Sequence, residues 1–282
     1  MKTVRELIDL LTLTPLGDKR FEGQNYQTPW KRVFGGQVLG QALHAAYQTV
    51  PADRVCHSMH GYFILGGKID EPVVYEVDTI RDGGSFSTRR VVAYQGGRAI
   101  YITAASFQLR QQGFEHQGRM PNVLPPETLL SDIEQLKDLK ESDPALYRRL
   151  TVIHPNAIEF RPVEKFRPEN TRPSRHIWMR AKEEVDVDLP MQQQLLAYAS
   201  DYNLLTTAAL PHLDEALTSQ VFYASLDHAM WFHRDFRIDD WLLYALDSPS
   251  AGNARALSRG SIYTQAGTLA ASVVQEGLMR RM

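Results

Sequence analysis

The 282 residues, 43% hydrophobic and 23% charged, have the make-up of folded protein and length enough for two ordinary domains, which excludes a disordered or low-complexity chain. A formal net charge of -2 without a long Lys/Arg run gives a nucleic-acid partner no electrostatic support, although a coenzyme phosphate would need only a few placed cations. The single cysteine, Cys56, excludes an intrachain disulfide framework and reads as a buried thiol rather than a nucleophile.

There is no signal-peptide core, no apolar run near the roughly 18 residues of a membrane helix, and no Ser-Lys-Leu terminus. The expectation is a cytoplasmic chain without membrane insertion.

In chain order, Val4, Leu7, Ile8 and Leu11 share one face of a short amphipathic helix over residues 3–12. A second helix opens at Phe34-Gly35-Gly36-Gln37-Val38-Leu39-Gly40-Gln41-Ala42 and ends before Pro51. Small residues dominate one side of it, which suits a helix packed closely inside a curved sheet. Residues 57–109 read as antiparallel strands, with a hairpin turn at Gln95-Gly96-Gly97-Arg98.

Pro121, Pro125 and Pro126 then break the chain. Leu129, Leu130, Ile133, Leu136 and Leu139 predict an exposed amphipathic helix over 127–139, inside a linker. Past Pro155, Pro162, Pro168 and Pro173 the first plan returns. Strands are predicted around Ile158 and Ile177, a helix over 190–210, and strands over 222–226, 241–247, 254–263 and 268–279.

The echo is visible in residue order. His60 and Tyr75 match His228 and Tyr244. Arg89 precedes Gln95-Gly96-Gly97 as Arg259 precedes Gln265-Ala266-Gly267, and Ala104-Ala105-Ser106 matches Ala270-Ala271-Ser272. The expected division is a first domain over 1–117, a linker over 118–155, and a second domain over 156–282.

Familiar catalytic motifs are missing: no Gly-x-Ser-x-Gly, no dinucleotide or phosphate-binding glycine loop, and no His-Glu-x-x-His. His57/His60 and His228/His233 are spaced by odd numbers, so on strands they point to opposite faces and make poor metal pairs. They read instead as polar strand positions or hydrogen-bonded core histidines.

Asp201 follows the apolar run Leu195-Leu196-Ala197-Tyr198-Ala199-Ser200, whereas the first central helix has no carboxylate. A carboxylate in such surroundings is either a general base, hydrogen-bonded or raised in pKa, or an Asp that faces solvent or caps backbone.

Several segments together carry a resemblance. They are Val33-Phe34-Gly35-Gly36-Gln37-Val38-Leu39-Gly40-Gln41-Ala42; Arg81-Asp82-Gly83-Gly84-Ser85-Phe86; Ala105-Ser106-Phe107-Gln108; Tyr198-Ala199-Ser200-Asp201; Leu226-Asp227-His228-Ala229-Met230-Trp231; and Ser272-Val273-Val274-Gln275-Glu276-Gly277. The chain resembles, over nearly its whole length, the acyl-CoA thioesterase II family of double hot-dog hydrolases.

The resemblance implies an α+β fold: a tandem double hot-dog, two antiparallel curved sheets each wrapping a central helix. It implies an acyl-CoA substrate, neither cofactor nor metal, and a homodimer or homotetramer. It implies one active site per chain, in the second domain, where an Asp, a Thr or Ser and a Gln hold the attacking water. By motif these are Asp201, Ser225 and Gln275, with Ser225 standing where the motif's more familiar form has Thr.

Gly35 and Gly36 are candidates for contacting substrate through a backbone N–H that steadies the oxyanion. Lys31, Arg32 and Arg180 are candidate cations for the coenzyme phosphates. The rival readings are a hot-dog hydratase or dehydratase, whose Asp-x-Asn-Pro-x-His pattern Asp201-Tyr202-Asn203-Leu204 lacks, and a non-catalytic acyl-CoA-binding protein.

Overall fold

The computed structural model describes residues 3–28, 31–151, 157–164, 171–213 and 221–281. Helix α1 (Val4–Leu11) begins at Thr3, whose hydroxyl accepts the Glu6 N–H, and buries Val4, Leu7 and Leu11. Strands β1 (Thr14–Gly17) and β2 (Arg20–Gly23) form a short hairpin. Helix α2 (Gly35–Tyr47) follows, buried along almost its whole length. Strands β3 (Arg54–Phe63), β4 (Val73–Asp82), β5 (Phe86–Gln95) and β6 (Arg98–Leu109) complete the first half.

The expected single helix over 127–139 is instead a series of short pieces. A 3-10 turn at Pro126–Thr128 precedes α3 (Asp132–Gln135), α4 (Leu139–Ser142) and α5 (Pro144–Thr151). The reason is local. Ser131 and Glu134 form a reciprocal capping box that starts a new helix in mid-run, and Leu129 just before it is extended. Nor is the segment simply exposed. Met120, Val123 and Leu129 pack on Trp178, Trp241, Leu243 and Tyr263, and Trp178 Nε1 donates to Leu124 O at 2.9 Å.

The second half begins with β7 (Ile158–Pro162) and β8 (Ser174–Ala181), then α6 (Leu189–Ser200). Asp188 caps α6 by accepting the Met191 N–H. The helix stops ten residues short of the expected 210. Asn203, at φ +67°, takes the left-handed conformation that ends a helix, and a 3-10 run, Leu205–His212, follows. Strands β9 (Val221–Ser225), β10 (Asp227–Phe232), β11 (Leu242–Gly252), β12 (Arg255–Thr264) and β13 (Leu269–Arg281) close the fold. The boundary expected at residues 155–156 lies outside the described residues.

Among the described residues the strands form one antiparallel 13-stranded sheet, in the order β1-β2-β4-β5-β6-β3-β10-β13-β12-β11-β8-β7, with β9 also on β13. The two expected sheets are thus joined edge to edge where β3 meets β10, Met59 opposite Met230. On either side of that seam the order runs in the same sense, β3-β6-β5-β4-β2 and β10-β13-β12-β11-β8, which is the tandem repeat in three dimensions.

Tyr75 and Tyr244 both send a hydroxyl to their central helix, to Gln41 Oε1 at 2.7 Å and Ser200 O at 2.8 Å. His60 breaks the echo: it is exposed opposite Ala229, whereas His228 is buried opposite Gly61.

The concave side holds α2 and α6 against each other. A Cβ on Gly36 would strike the Tyr198 carbonyl, and one on Gly40 would lie 3.1 Å from the Gln194 carbonyl. Advancing along one helix retreats along the other, so they run antiparallel. Only residues as small as these allow such an approach. The N-terminus of α2 consequently adjoins the C-terminus of α6.

Candidate active site

Asp201 is the C-cap of α6 and lies at the junction of the two central helices. Its Oδ2 accepts the Gly36 backbone N–H at 2.9 Å, and its Oδ1 accepts from Gln275 Nε2, also at 2.9 Å. The first bond comes from the amino end of α2, where unpaired amides favour negative charge. Apolar walls surround the carboxylate. The Phe34 ring lies 4.4 Å from that of Tyr202 and 5.3 Å from that of Tyr198, and Phe63 approaches from β3. Burial pushes the Asp201 pKa up, against the two hydrogen bonds that lower it.

Gln275 lies on β13, buried and directly opposite Ser258 of β12. The same Nε2 that reaches Asp201 lies 3.0 Å from Ser225 Oγ, at the end of β9. Ser225 therefore accepts from Gln275, which leaves its own proton to donate. Among the described residues Gln275 Oε1 is buried without a partner, as is Ser258 Oγ across the strands.

The three residues named by motif, 24 to 74 positions apart in the chain, are thus brought within hydrogen-bonding distance of one amide nitrogen.

Sequence reasoning missed His228 as part of this group, reading it only as a histidine of the strand or core. It is buried, with Nε2 at 3.1 Å from Ser200 Oγ and Nδ1 at 3.4 Å from Gln275 Nε2. Ser200 has one proton and gives it to Ala197 O at 2.9 Å. His228 must therefore carry its proton on Nε2, and its Nδ1 can only accept. Burial pulls its pKa down to about 3, so the ring is neutral.

The two amide protons go to Asp201 Oδ1 and Ser225 Oγ, and the amide oxygen could not take the nitrogen's place without repulsion from Asp201 Oδ1 and from the lone pair of His228 Nδ1, 3.4 Å away. His228 fixes which way Gln275 points. A histidine three residues after the site serine, on a strand paired with the one that carries Gln275, is the signal that could have found it.

The other singled-out residues divide clearly. Gly36 holds the Asp201 carboxylate through its N–H, and Gly35 is held Cβ-free, since a Cβ there would lie 2.7 Å from Asp201 Oδ2. Arg180 is engaged elsewhere, 3.1 Å from Glu159 and 4.3 Å over the Trp241 ring. Arg32 sits over Phe222 near the site.

Of the histidines read as poor metal pairs, His57 bonds Ser106 at 2.8 Å, His233 bonds Ser272 at 2.9 Å, and His60 lies edge-on against the Trp231 ring. Burial pushes the Cys56 thiol pKa up, which suits an inert thiol.

Comparison with known proteins agrees with this architecture. A family model described as Acyl-CoA thioesterase matches residues 153–278, and one described as Acyl-CoA thioesterase N-terminal domain matches residues 26–108. The human protein named Acyl-coenzyme A thioesterase 8 is 42% identical, over 96% of this chain and 88% of its own length. Acyl-CoA thioesterase 2 of Haemophilus influenzae is 37% identical over 98% of both. The crystal structure of an acyl-CoA thioesterase II from Mycobacterium marinum superposes with a TM-score of 0.81 at 40% identity, covering 97% of this chain and 98% of that one. With both halves matched in order and the relatives aligned almost end to end, the chain belongs to the acyl-CoA thioesterase II family.

Proposed function

We propose that this protein hydrolyses acyl-CoA thioesters to free acid and coenzyme A, with Asp201 as general base and Ser225 and Gln275 holding the attacking water. The observation that carries the reading is the convergence on Gln275 Nε2, 2.9 Å from Asp201 Oδ1 and 3.0 Å from Ser225 Oγ. Water donates one proton toward the Asp201 carboxylate and accepts from the Ser225 hydroxyl, whose proton is free. Its oxygen then attacks the thioester carbonyl while Asp201 takes the proton.

General-base assistance of this kind contributes roughly 10² to 10⁴ in rate, and fixing the water saves the entropy of recruiting it. The raised pKa of Asp201 makes it a better proton acceptor than an exposed carboxylate. The thiolate is a good leaving group, so the step requires no covalent intermediate.

Hydration of an enoyl-CoA would need a second proton-bearing group. The histidine at this site, His228, is neutral with a pKa of about 3 and its proton turned toward Ser200, so it cannot serve as that acid.

In this reading the first hot-dog domain spans 1–117, the linker 118–155 and the catalytic domain 156–282, with one site per chain. The protein works in the cytoplasm as a homodimer or homotetramer, which light scattering would resolve.

The test is thiol release from acyl-CoAs of increasing length, with wild type and Asp201→Asn side by side. The expected result is turnover by wild type and a loss of at least about two orders of magnitude in the variant. A wild type inert across the series would overturn the reading.

A further inference from the structure

The strands that hold the site have a second face. β3 and β10 are paired as far as Tyr62 and Asp227, and the Phe63 N–H still reaches Leu226 O at 2.9 Å. Beyond that point they part. Ile64 and Leu65 turn to the Ile100 carbonyl, while β9 stays on β13. The seam between the two halves is therefore split between β9 and residues 64–68, and the split begins beside Ser225.

Arginines stand on both lips of this split. On one side Phe222 and Arg280 are directly opposed across β9 and β13. On the other, Arg32 is bridged to Lys68. The two guanidinium carbons lie 5.8 and 5.9 Å from the centre of the same Phe222 ring. Both arginines are exposed, and among the described residues neither forms an ion pair with a carboxylate. By contrast Arg90, Arg110, Arg255 and Arg259 on the same molecule each have one. Two like charges held at one ring without an anion repel each other, and a bound anion would relieve that.

Side-chain alternation puts this pair on the outer face. Ser225 and Gln275 point inward. Phe222 and Arg280, three and five residues away on the same strands, point outward. At roughly 3.3 Å per residue they are about 10 and 17 Å along the strands from the site. A pantetheine arm with bonds of about 1.3–1.5 Å spans a comparable distance when extended. Tyr62, Ile64 and Leu65, all exposed at the rim, offer the arm apolar surface.

We propose that Arg32 and Arg280 grip the phosphates of the coenzyme's 3′-phospho-ADP head on the outer face of the sheet, and that the pantetheine arm passes through the split to reach Ser225. Arginine suits the task because its planar fork binds phosphate oxygens in pairs and stacks on an aromatic ring. The proposal rests on the hydrolase reading of the site, and names the part of the substrate that lies outside the catalytic group.

The experiment compares an acyl-CoA with the matching acyl-pantetheine, which lacks the phosphorylated head. In wild type the KM for acyl-CoA should be much the lower. In R32Q/R280Q the advantage of acyl-CoA should shrink at least tenfold, through KM rather than kcat, and R32K/R280K should recover part of it. R90Q/R259Q, which removes two charges elsewhere, should leave the ratio where it is. An unmoved ratio in R32Q/R280Q, or an equal change in R90Q/R259Q, overturns the proposal.

Calorimetric titration of free coenzyme A separates the two claims. If wild type hydrolyses nothing yet binds coenzyme A at least tenfold more tightly than R32Q/R280Q, the clamp stands and the hydrolase reading falls. If the two bind alike, the clamp falls as well.

Discussion

The Gly36 backbone N–H and the Asp201 carboxylate, 165 residues apart, are joined at 2.9 Å across the two halves of the molecule. The carboxylate proposed as the base is built on the second half, but the amide that steadies it belongs to the first. Neighbouring glycines here have different duties. A Cβ at Gly35 would meet Asp201 Oδ2 at 2.7 Å and Phe63 Cζ at 3.1 Å, while one at Gly36 would meet the Tyr198 carbonyl of α6.

Gly35→Ala should therefore displace the base while keeping the fold, and Gly36→Ala should push the central helices apart. We expect a fall in kcat of at least about tenfold for Gly35→Ala with a stability loss of roughly 1–3 kcal/mol, and a larger stability loss for Gly36→Ala. Thermal unfolding and steady-state kinetics on the two variants test this. Equal stability losses in both would refute the division of roles.

The pH profile should report Asp201. Its carboxyl titrates above the ordinary carboxylate range because burial outweighs its two hydrogen bonds. Only the ionised form can take a proton from water, so kcat/KM should rise with pH along an acid limb lying above the ordinary carboxylate value. It should then level off. The limb should vanish from the residual activity of Asp201→Asn. A limb retained in that variant would assign it to another group.

In the proposed mechanism Ser225 serves through its hydroxyl, and threonine would keep that group while adding a methyl that restricts χ1. Ser225→Thr should stay within a few-fold of wild type, whereas Ser225→Ala should lose about tenfold or more in kcat, since the water loses a donor. A Thr variant as weak as Ala would mean that the pocket has no room for the methyl, and that its shape is built around serine.

His228 contributes orientation without charge. Replacing it with Phe removes the acceptor that, with Asp201, settles the direction of the Gln275 amide. We expect kcat to fall about tenfold or more with little change in KM, and the acid limb to stay where it is.

The same residue shapes acid stability. Its folded pKa of about 3 lies below its unfolded value of 6.5, so the unfolded chain binds a proton that the folded chain refuses. Stability is then full above pH 6.5 and lost as pH falls from there toward 3, by up to about 1.4 kcal/mol per pH unit for this one group. His44, His57 and His233 are lowered by burial too and act in the same sense. His228→Asn should flatten the slope by about one proton in denaturant titrations between those limits. An unchanged slope would place the acid sensitivity elsewhere.

The outline of the fold was legible because hydrophobic period and turn residues speak locally. The central helices showed in their small and apolar runs, and the β5–β6 hairpin showed in Gly96 and Gly97, both at positive φ. Asp201, Ser225 and Gln275 came from motif resemblance, since no spacing rule links residues 24 and 50 positions apart on different elements.

What escaped was partly local signal overridden by pattern and partly long-range contact. The end of α6 depends on a left-handed Asn203, and the linker helix breaks at the Ser131–Glu134 capping box. Both signals were present but were outweighed by the apolar pattern around them. The role of His228 depends on Ser200 donating to Ala197 O, a bond that fixes the imidazole tautomer and cannot be seen in a strand's alternation.

Met59 and Met230, directly opposed on β3 and β10, are both fully buried, and one continuous core takes in residues of both halves, including Leu39 and Ala42 of α2 with Leu195 and Ala199 of α6. Separated halves would each expose a long unpaired strand edge and one flank of a central helix. Asp201 would also lose the Gly36 N–H and the Phe63 wall. Residues 118–282, which carry Asp201, Ser225 and Gln275, should therefore be inactive and prone to aggregate when produced alone. Co-production with residues 1–117 should restore soluble, active complex. The measurement is thiol release by each fragment alone and by the pair. Full activity from 118–282 by itself would show that the first half contributes nothing to the base, against the geometry of Gly36 and Asp201.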